Sequence, residues 1–393
     1  MLDRGVCMVG IAWLVACVAE DELVVSAKMY DADGLVTGTG CDGLFSADQL
    51  LAHALTMSDT DWRDVLNDRT FDLERPAWLA CGDEAPLYVG VHRKRSGTLP
   101  KVAFSIDVNA YVSGQTWHGL KKVTFENGVS EGEVAKPVDI VGEYLSWRLM
   151  SLSGAMSARA ALATLTINGE QRGVYTVVEG VDKTFLAARL GDKSGWLYKY
   201  SGSLDDGYRT NEDEPNPYEA WFAFMDGKKT KLPSTATLAA ELPARLDIDQ
   251  MLTVGAVNAI MGNADAPIFK PNNYYRYDGA GGRVYFPWDL DSSMTTGFDV
   301  FTGRKGASTQ FTRVLFTNWE DDYDAILTGL VDGQLSEDVV AGELERIRTI
   351  GAAAIDADPF LDSLDGGADA EIDGLLAWWA ARLPEVRAQV GAH

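Results

Sequence analysis

Gly262-Asn-Ala-Asp265-Ala-Pro-Ile-Phe-Lys-Pro-Asn-Asn273-Tyr-Tyr-Arg-Tyr277 is followed, after Asp278-Gly-Ala-Gly-Gly282, by Arg283-Val-Tyr-Phe-Pro-Trp-Asp289-Leu-Asp291. The apolar run Met251 to Met261 predicts a helix ending just before Asp265. Asn273 opens an aromatic segment that reads as a strand, and Val284-Tyr-Phe286 reads as its return. The Gly-rich link between them holds residues that tolerate positive φ and predicts a hairpin. Such a hairpin brings an acid before its first strand close to an acid after its second. Phosphoryl transfer needs that set: one carboxylate to orient a hydroxyl, plus an Asp and an Asn to hold Mg²⁺. Asp265 is therefore the candidate base, with Asn273 and Asp289 as metal ligands. Asp291 is either a second ligand or the N-cap of the next turn.

These motifs resemble the CotH kinase family, the atypical protein kinases first known from spore coats. The family pattern runs roughly gly-asn-x-asp, asn-tyr-x-x-tyr, pro-trp-asp-x-asp. A second match lies upstream in Ile167-Asn-Gly169, Gly173-Val-Tyr175, Val178-Glu179-Gly-Val-Asp182, Phe185-Leu186 and Gly195-Trp-Leu-Tyr-Lys199. A third, Lys101-Val-Ala-Phe-Ser-Ile106, is similar to the family's lysine-bearing strand. The resemblance implies an α+β, two-lobed atypical protein-kinase-like fold, with a strand-rich N-lobe over 41–200 and a mainly helical C-lobe over 201–393. It also implies transfer of the phosphate of ATP, with Mg²⁺ or Mn²⁺, to Ser/Thr of a secreted or surface protein. Lys101 would meet the phosphates with Glu179 as its partner, and Lys199 is the rival for that role. Arg93 and Arg95 precede the lysine strand. There is no Gly-x-Gly-x-x-Gly loop. Glu143 is present, but Val141 and Gly142 stand where the family offers an arginine. Two rivals remain open. One is a catalytically inactive kinase-fold surface lipoprotein acting in adhesion or structure; the other is a metal-dependent phosphoester hydrolase using the same acids.

The 393 residues carry 34 Lys plus Arg against 58 Asp plus Glu, a net charge of −24. A field of that sign disfavours nucleic acid and anionic membrane surfaces as partners. Residues 1–17 read as a signal peptide: Arg4 precedes an uncharged run, Gly5 to Ala16, too short to span a bilayer comfortably. It ends in Leu14-Val-Ala-Cys17, which resembles a lipobox and implies a lipid anchor on Cys17, with the leaflet unresolved. The chain is expected to be exported and held at the cell envelope, with residues 18–40 as a linker. Cys41 and Cys81 are then the remaining thiols, either one disulfide or two buried free cysteines. No CxxC or Cys/His motif points to structural zinc.

Along the chain, the pattern predicts a short strand at Glu22 to Met29 and a helix from Ala47 to Leu55 capped by Ser46. A second helix is expected from Asp59 to Leu66. Strands are expected at Leu87 to Val91, Val102 to Val108 and Lys121 to Phe125. A helix at Ile140 to Leu152 precedes a hairpin turning at Asn168-Gly169. Residues 201–245 read as an irregular crossing between lobes, and helices follow at Val314 to Val331, Ser336 to Ala354 and Glu371 to Val390.

Overall fold

The computed structural model describes residues 41 and 43–392, apart from 96–100, 129–139, 203–205, 226–230, 232, 271, 304–309 and 361–365. The expected signal peptide, Cys17 anchor, linker and first strand lie outside the described residues.

The first half builds a closed barrel from seven strands: β1 (Leu51–Thr56), β2 (Glu74–Cys81), β3 (Leu87–Arg93), β4 (Phe104–Asp107), β5 (Lys122–Glu126), β6 (Ala160–Ile167) and β7 (Glu170–Glu179). Their order around the barrel is β1-β2-β3-β4-β5-β7-β6. Neighbours are antiparallel except β1 and β6, whose parallel pairing closes the ring. Closure removes the unpaired edges that an open sheet would expose. Phe104, Phe125 and Tyr175 stack and tilt inside it, with centroids 5.5 Å apart for Phe104–Phe125 and Phe104–Tyr175. Cys41 and Cys81 are joined by a disulfide with Cα atoms 5.9 Å apart. The buried His53 ring sits edge-on to Trp117 and Phe125.

Two local expectations change. The helix expected at 47–55 is the strand β1, because residues 53 and 55 alternate inward while their neighbours face out. β2 escaped notice because Glu74-Arg-Pro hides the alternation of Ala77, Leu79 and Cys81 toward the core.

Helix α1 (Asp59–Asn67), capped by the Ser58 side chain, packs on β2 and β3. Helix α2 (Ile140–Leu152) is buried along most of its length between the barrel and the second core. The Asn168-Gly169 turn, with φ of 52° and 80°, joins β6 to β7, as a two-residue hairpin requires. Helix α3 (Lys183–Leu190), capped by Asp182, leads into β8 (Trp196–Tyr200) and β9 (Gly207–Tyr208). These two strands join β10 (Tyr274–Gly279) and β11 (Gly282–Pro287) in a sheet of order β11-β10-β8-β9.

The short helices α4 (Glu219–Phe222) and α5 (Thr235–Glu241) interrupt the irregular stretch. Helix α6 (Ile248–Met261) is mostly apolar and accordingly buried along most of its length, with Asp249 in its first turn exposed. The helix expected at 314–331 is two, α7 (Gln310–Asn318) and α8 (Glu320–Asp332). Helices α9 (Glu337–Asp356) and α10 (Gly367–Gly391) finish the chain.

The result is a mixed α+β fold with two hydrophobic clusters. One is drawn from residues 41–177 and fills the barrel. The other spans residues 140–386 and so takes in α2, α3 and β8 from before residue 200. Among the described residues no helix is long and apolar enough to cross a membrane.

Candidate active site

The hairpin β10–β11 sets the floor of the site. Its register pairs Tyr274 with Pro287, so Asn273 and Trp288 are the next facing pair, and the Trp288 N–H donates to the Asn273 carbonyl at 3.2 Å. Asn273 Nδ2 lies 3.5 Å from the Asp289 carbonyl. Both residues adopt left-handed backbone, with φ of 50° for Asn273 and 55° for Asp289. Non-glycine residues seldom do so, and such conformations persist where the surroundings over-determine them.

Asp265 sits in the loop after α6. Its Oδ1 accepts from Lys270 Nζ at 2.7 Å and its Oδ2 from Asn272 Nδ2 at 3.1 Å. Its own N–H donates to the Asn263 side chain at 2.9 Å. Asn272 therefore ties the carboxylate of Asp265 to the segment whose next residue is Asn273.

Facing the hairpin is a group of charges from the barrel and α2. Lys94 follows β3 directly and extends its ladder, its N–H donating to Ala103 O at 2.9 Å. Its ammonium forms an ion pair with Glu126, the last residue of β5, and lies 5.4 Å from the Trp288 ring centroid. Lys199 of β8, opposite Tyr275 in the sheet, stands 5.6 Å from the same ring. Glu143 enters from the first turn of α2. Trp288 packs edge-on against Tyr275 and against Trp147 of α2, which fixes the turn carrying Asp289.

The electrostatics are those of a site crowded with acid. Burial pushes Glu143 well above the usual carboxylate range, and Glu126, Asp291 and Asp289 add to the shift. Burial alone would push Lys94 down, but Glu126, Asp289 and Glu143 outweigh it and hold the ammonium above its ordinary range. Burial likewise pushes the Tyr275 phenol up to about 12. Four carboxylates (Glu126, Glu143, Asp289 and Asp291) thus face two lysines. Hard oxygen donors in excess of nearby cations suit Mg²⁺, which takes one or two carboxylates and fills its other positions with phosphate oxygens and water. Asp289, Asp291 and the Asn273 amide are the residues that would hold it, and the raised Glu143 marks negative charge that a divalent ion relieves.

Lys101 and Glu179, expected to pair at the phosphates, do not meet, and this corrects both assignments. Lys101 is buried 2.6 Å from Asp358 Oδ2 and 2.7 Å from Val174 O, with its Nζ 4.8 Å from the Tyr175 ring centroid. Glu179 is claimed by Arg159 at 2.8 Å and Arg189 at 2.5 Å. Arg93 is no loop residue: it ends β3, buried, and donates to Leu66 O at 2.7 Å. Arg95 lies with it against Phe71. Lys94 and Glu126 were the residues missed. Glu126 ends β5 and Lys94 directly follows β3, and a charge at the close of a legible apolar strand was the available signal.

The family described as CotH kinase protein matches residues 89–378. The chain belongs to the CotH kinase family. Inner spore coat protein H of Bacillus subtilis (strain 168) is 24% identical over 268 residues, covering 60% of this chain and 68% of that relative. Among solved structures, a chain of the Shewanella oneidensis MR-1 toxin–antitoxin complex of HipA, HipB and operator DNA is similar over 98% of this chain and 83% of its own. The identity is 14% and the TM-score 0.39.

Proposed function

We propose that this CotH family member is a protein kinase, transferring the γ-phosphoryl group of ATP to Ser/Thr hydroxyls of secreted or surface proteins. The observation that carries the reading is the convergence of Lys94–Glu126, Glu143 and Lys199 on the hairpin that bears Asn273, Asp289 and Asp291. The spore coat relative supports a place outside the cytoplasm or at a surface, and the N-terminal sequence supports a lipid anchor on Cys17. The two clusters, one in the barrel and one among the helices, support the two-lobed reading.

In this mechanism Asp265 orients the acceptor hydroxyl and takes its proton as the new bond to the γ-phosphorus forms. The bond from that phosphorus to the bridging oxygen breaks, and ADP leaves with the electron pair. Lys94, kept charged and directed by Glu126, offsets phosphate charge, and Lys199 stands beside the same indole as a second cation. Asp289, Asp291 and Asn273 would hold Mg²⁺, which would supply positive charge to offset that of the phosphates. Lys270, two-thirds exposed in its pair with Asp265, is free to swing aside as an acceptor enters.

The test is incubation of the mature protein with labelled ATP, Mg²⁺ or Mn²⁺ and a Ser-rich acceptor. Label should enter protein and should fall at least about 100-fold in Asp265→Ala. Transfer that survives that substitution sinks the assignment. Release of phosphate to water alone indicates a hydrolase, and the lack of any nucleotide-induced stabilisation indicates a non-catalytic shell.

A further inference from the structure

Every helix ends with carbonyls that have no partner inside the helix, and the end of α6 is where Asp265 begins. Those carbonyls are fully accounted for. Asn258 O accepts from Asn263 N at 2.8 Å and Ala259 O from Gly262 N at 3.0 Å, the two bonds of a Schellman ending. Met261 O accepts from Met294 N at 2.6 Å. Ile260 O accepts from Arg382 Nε at 3.0 Å, and Arg382 Nη2 adds a bond of 2.8 Å to Ala259 O. Arg382 projects from α10, is 2% exposed, and holds Glu385 at 2.8 Å through Nη1. A planar guanidinium whose charge faces a helix C-terminus is favoured both by its fork of donors and by the helix dipole.

The turn it braces leads to the candidate base in three residues. Gly262 takes φ of 69°, and a Cβ there would meet Thr295 O at 2.4 Å, so only glycine fits this turn. The buried Asn263 follows. Its amide donates to Asn258 Oδ1 at 2.9 Å, and its carbonyl oxygen accepts the Asp265 N–H. Asn258 is itself tied to Val254 O at 2.8 Å. A continuous polar chain thus runs from Arg382 through the end of α6 to Asp265, inside packing that is otherwise apolar.

We infer that Arg382 is a positioning residue for Asp265, bracing the α6 terminus from which the base is presented. It lies beyond the matched residues 89–378, so the last turns of α10 belong to the catalytic apparatus of this chain. The inference rests on reading Asp265 as the base.

The experiment compares Arg382→Lys and Arg382→Met with Leu344→Ala, a buried substitution in α9 far along the chain from the site. Arg382→Lys keeps the charge but can reach only one carbonyl; it should lower kcat about tenfold, and Arg382→Met about 100-fold, as displacement of a reacting group by about 1 Å does. KM for nucleotide should stay within about twofold, since the phosphate-facing residues are untouched. Amide hydrogen exchange at residues 262–266 should quicken in Arg382→Lys and not in Leu344→Ala. Wild-type kcat in both Arg382 variants, an equal loss in Leu344→Ala, or unchanged exchange at 262–266 overturns the inference. If Arg382→Met does not fold, Arg382→Lys decides. If the wild-type protein transfers no phosphate, the reading of Asp265 falls, and exchange at Asn263 and Asp265 still decides whether Arg382 holds the loop.

Discussion

Replacing Lys94 and Lys101 one at a time by methionine separates the proposed phosphate contact of Lys94 from the buried ion pair of Lys101 with Asp358. Lys101 is 2% exposed, beside an Asp358 side chain with no exposure at all. Lys101→Met strands that carboxylate with two backbone donors, Val174 N–H at 2.7 Å, on its Oδ2, and Phe360 N–H at 2.9 Å, on its Oδ1. Removing one member of a buried pair costs about 3–5 kcal/mol, and the two surviving donors put this case near about 3 kcal/mol. Nucleotide binding by the folded fraction should be unchanged. Lys94→Met works the other way. The charge-assisted phosphate contact proposed for Lys94 would be worth about 1.5–3 kcal/mol, and its loss should weaken binding about 10- to 150-fold. At a nucleotide concentration 100 times the wild-type Kd, the wild-type protein gains about 2.7 kcal/mol against unfolding. The same concentration should give Lys94→Met only about 0.3–1.4 kcal/mol. Urea unfolding with and without Mg-ATP measures both quantities on the same samples. Full nucleotide stabilisation in Lys94→Met, together with its loss in Lys101→Met under conditions where that variant is folded, would refute the assignment.

Two further outcomes are expected of the barrel. Burial lowers the folded-state pKa of His53 from 6.5 to about 4; the unfolded chain therefore takes up a proton that the folded one refuses, and stability falls as pH drops from about 6.5 to 4, by up to about 3 kcal/mol. His53→Phe should flatten that part of the urea-stability profile, and parallel profiles for variant and wild type would count against it. The Cys41–Cys81 link closes a separation of 40 residues, so its replacement by serines should cost about 4 kcal/mol on the chain-entropy account, measured as a lower urea midpoint that added reductant does not lower further.

The hairpin was legible because its signals are local. A Gly-rich link, aromatic strand residues and an apolar helix all act within a few residues, and the hairpin then carries Asn273 and Asp289 together of necessity. The lysine proposed to face the phosphates was not, because its identity depends on partners scattered along the chain. Lys94 is chosen by Glu126 and Asp289, whereas Lys101 is removed by Asp358, 257 residues away. Nothing in the local pattern of Lys101-Val-Ala-Phe-Ser-Ile106 reveals that its cation points into a closed interior. β1 failed for a related reason. Leu51 to Thr56 contains good helix formers, and it becomes a strand because β2 and β6 stand on either side of it.

The parallel seam between β1 and β6 has a consequence for how the molecule comes into being. Leu51 must find Ala163, more than a hundred residues downstream, before the ring exists. Until then the first strand has a bare edge, and the hydrophobic interior stands open to any other extended segment nearby. Long-range pairing of that kind is slow, so this half of the chain should assemble late and should be the part that most needs protection from premature association during synthesis.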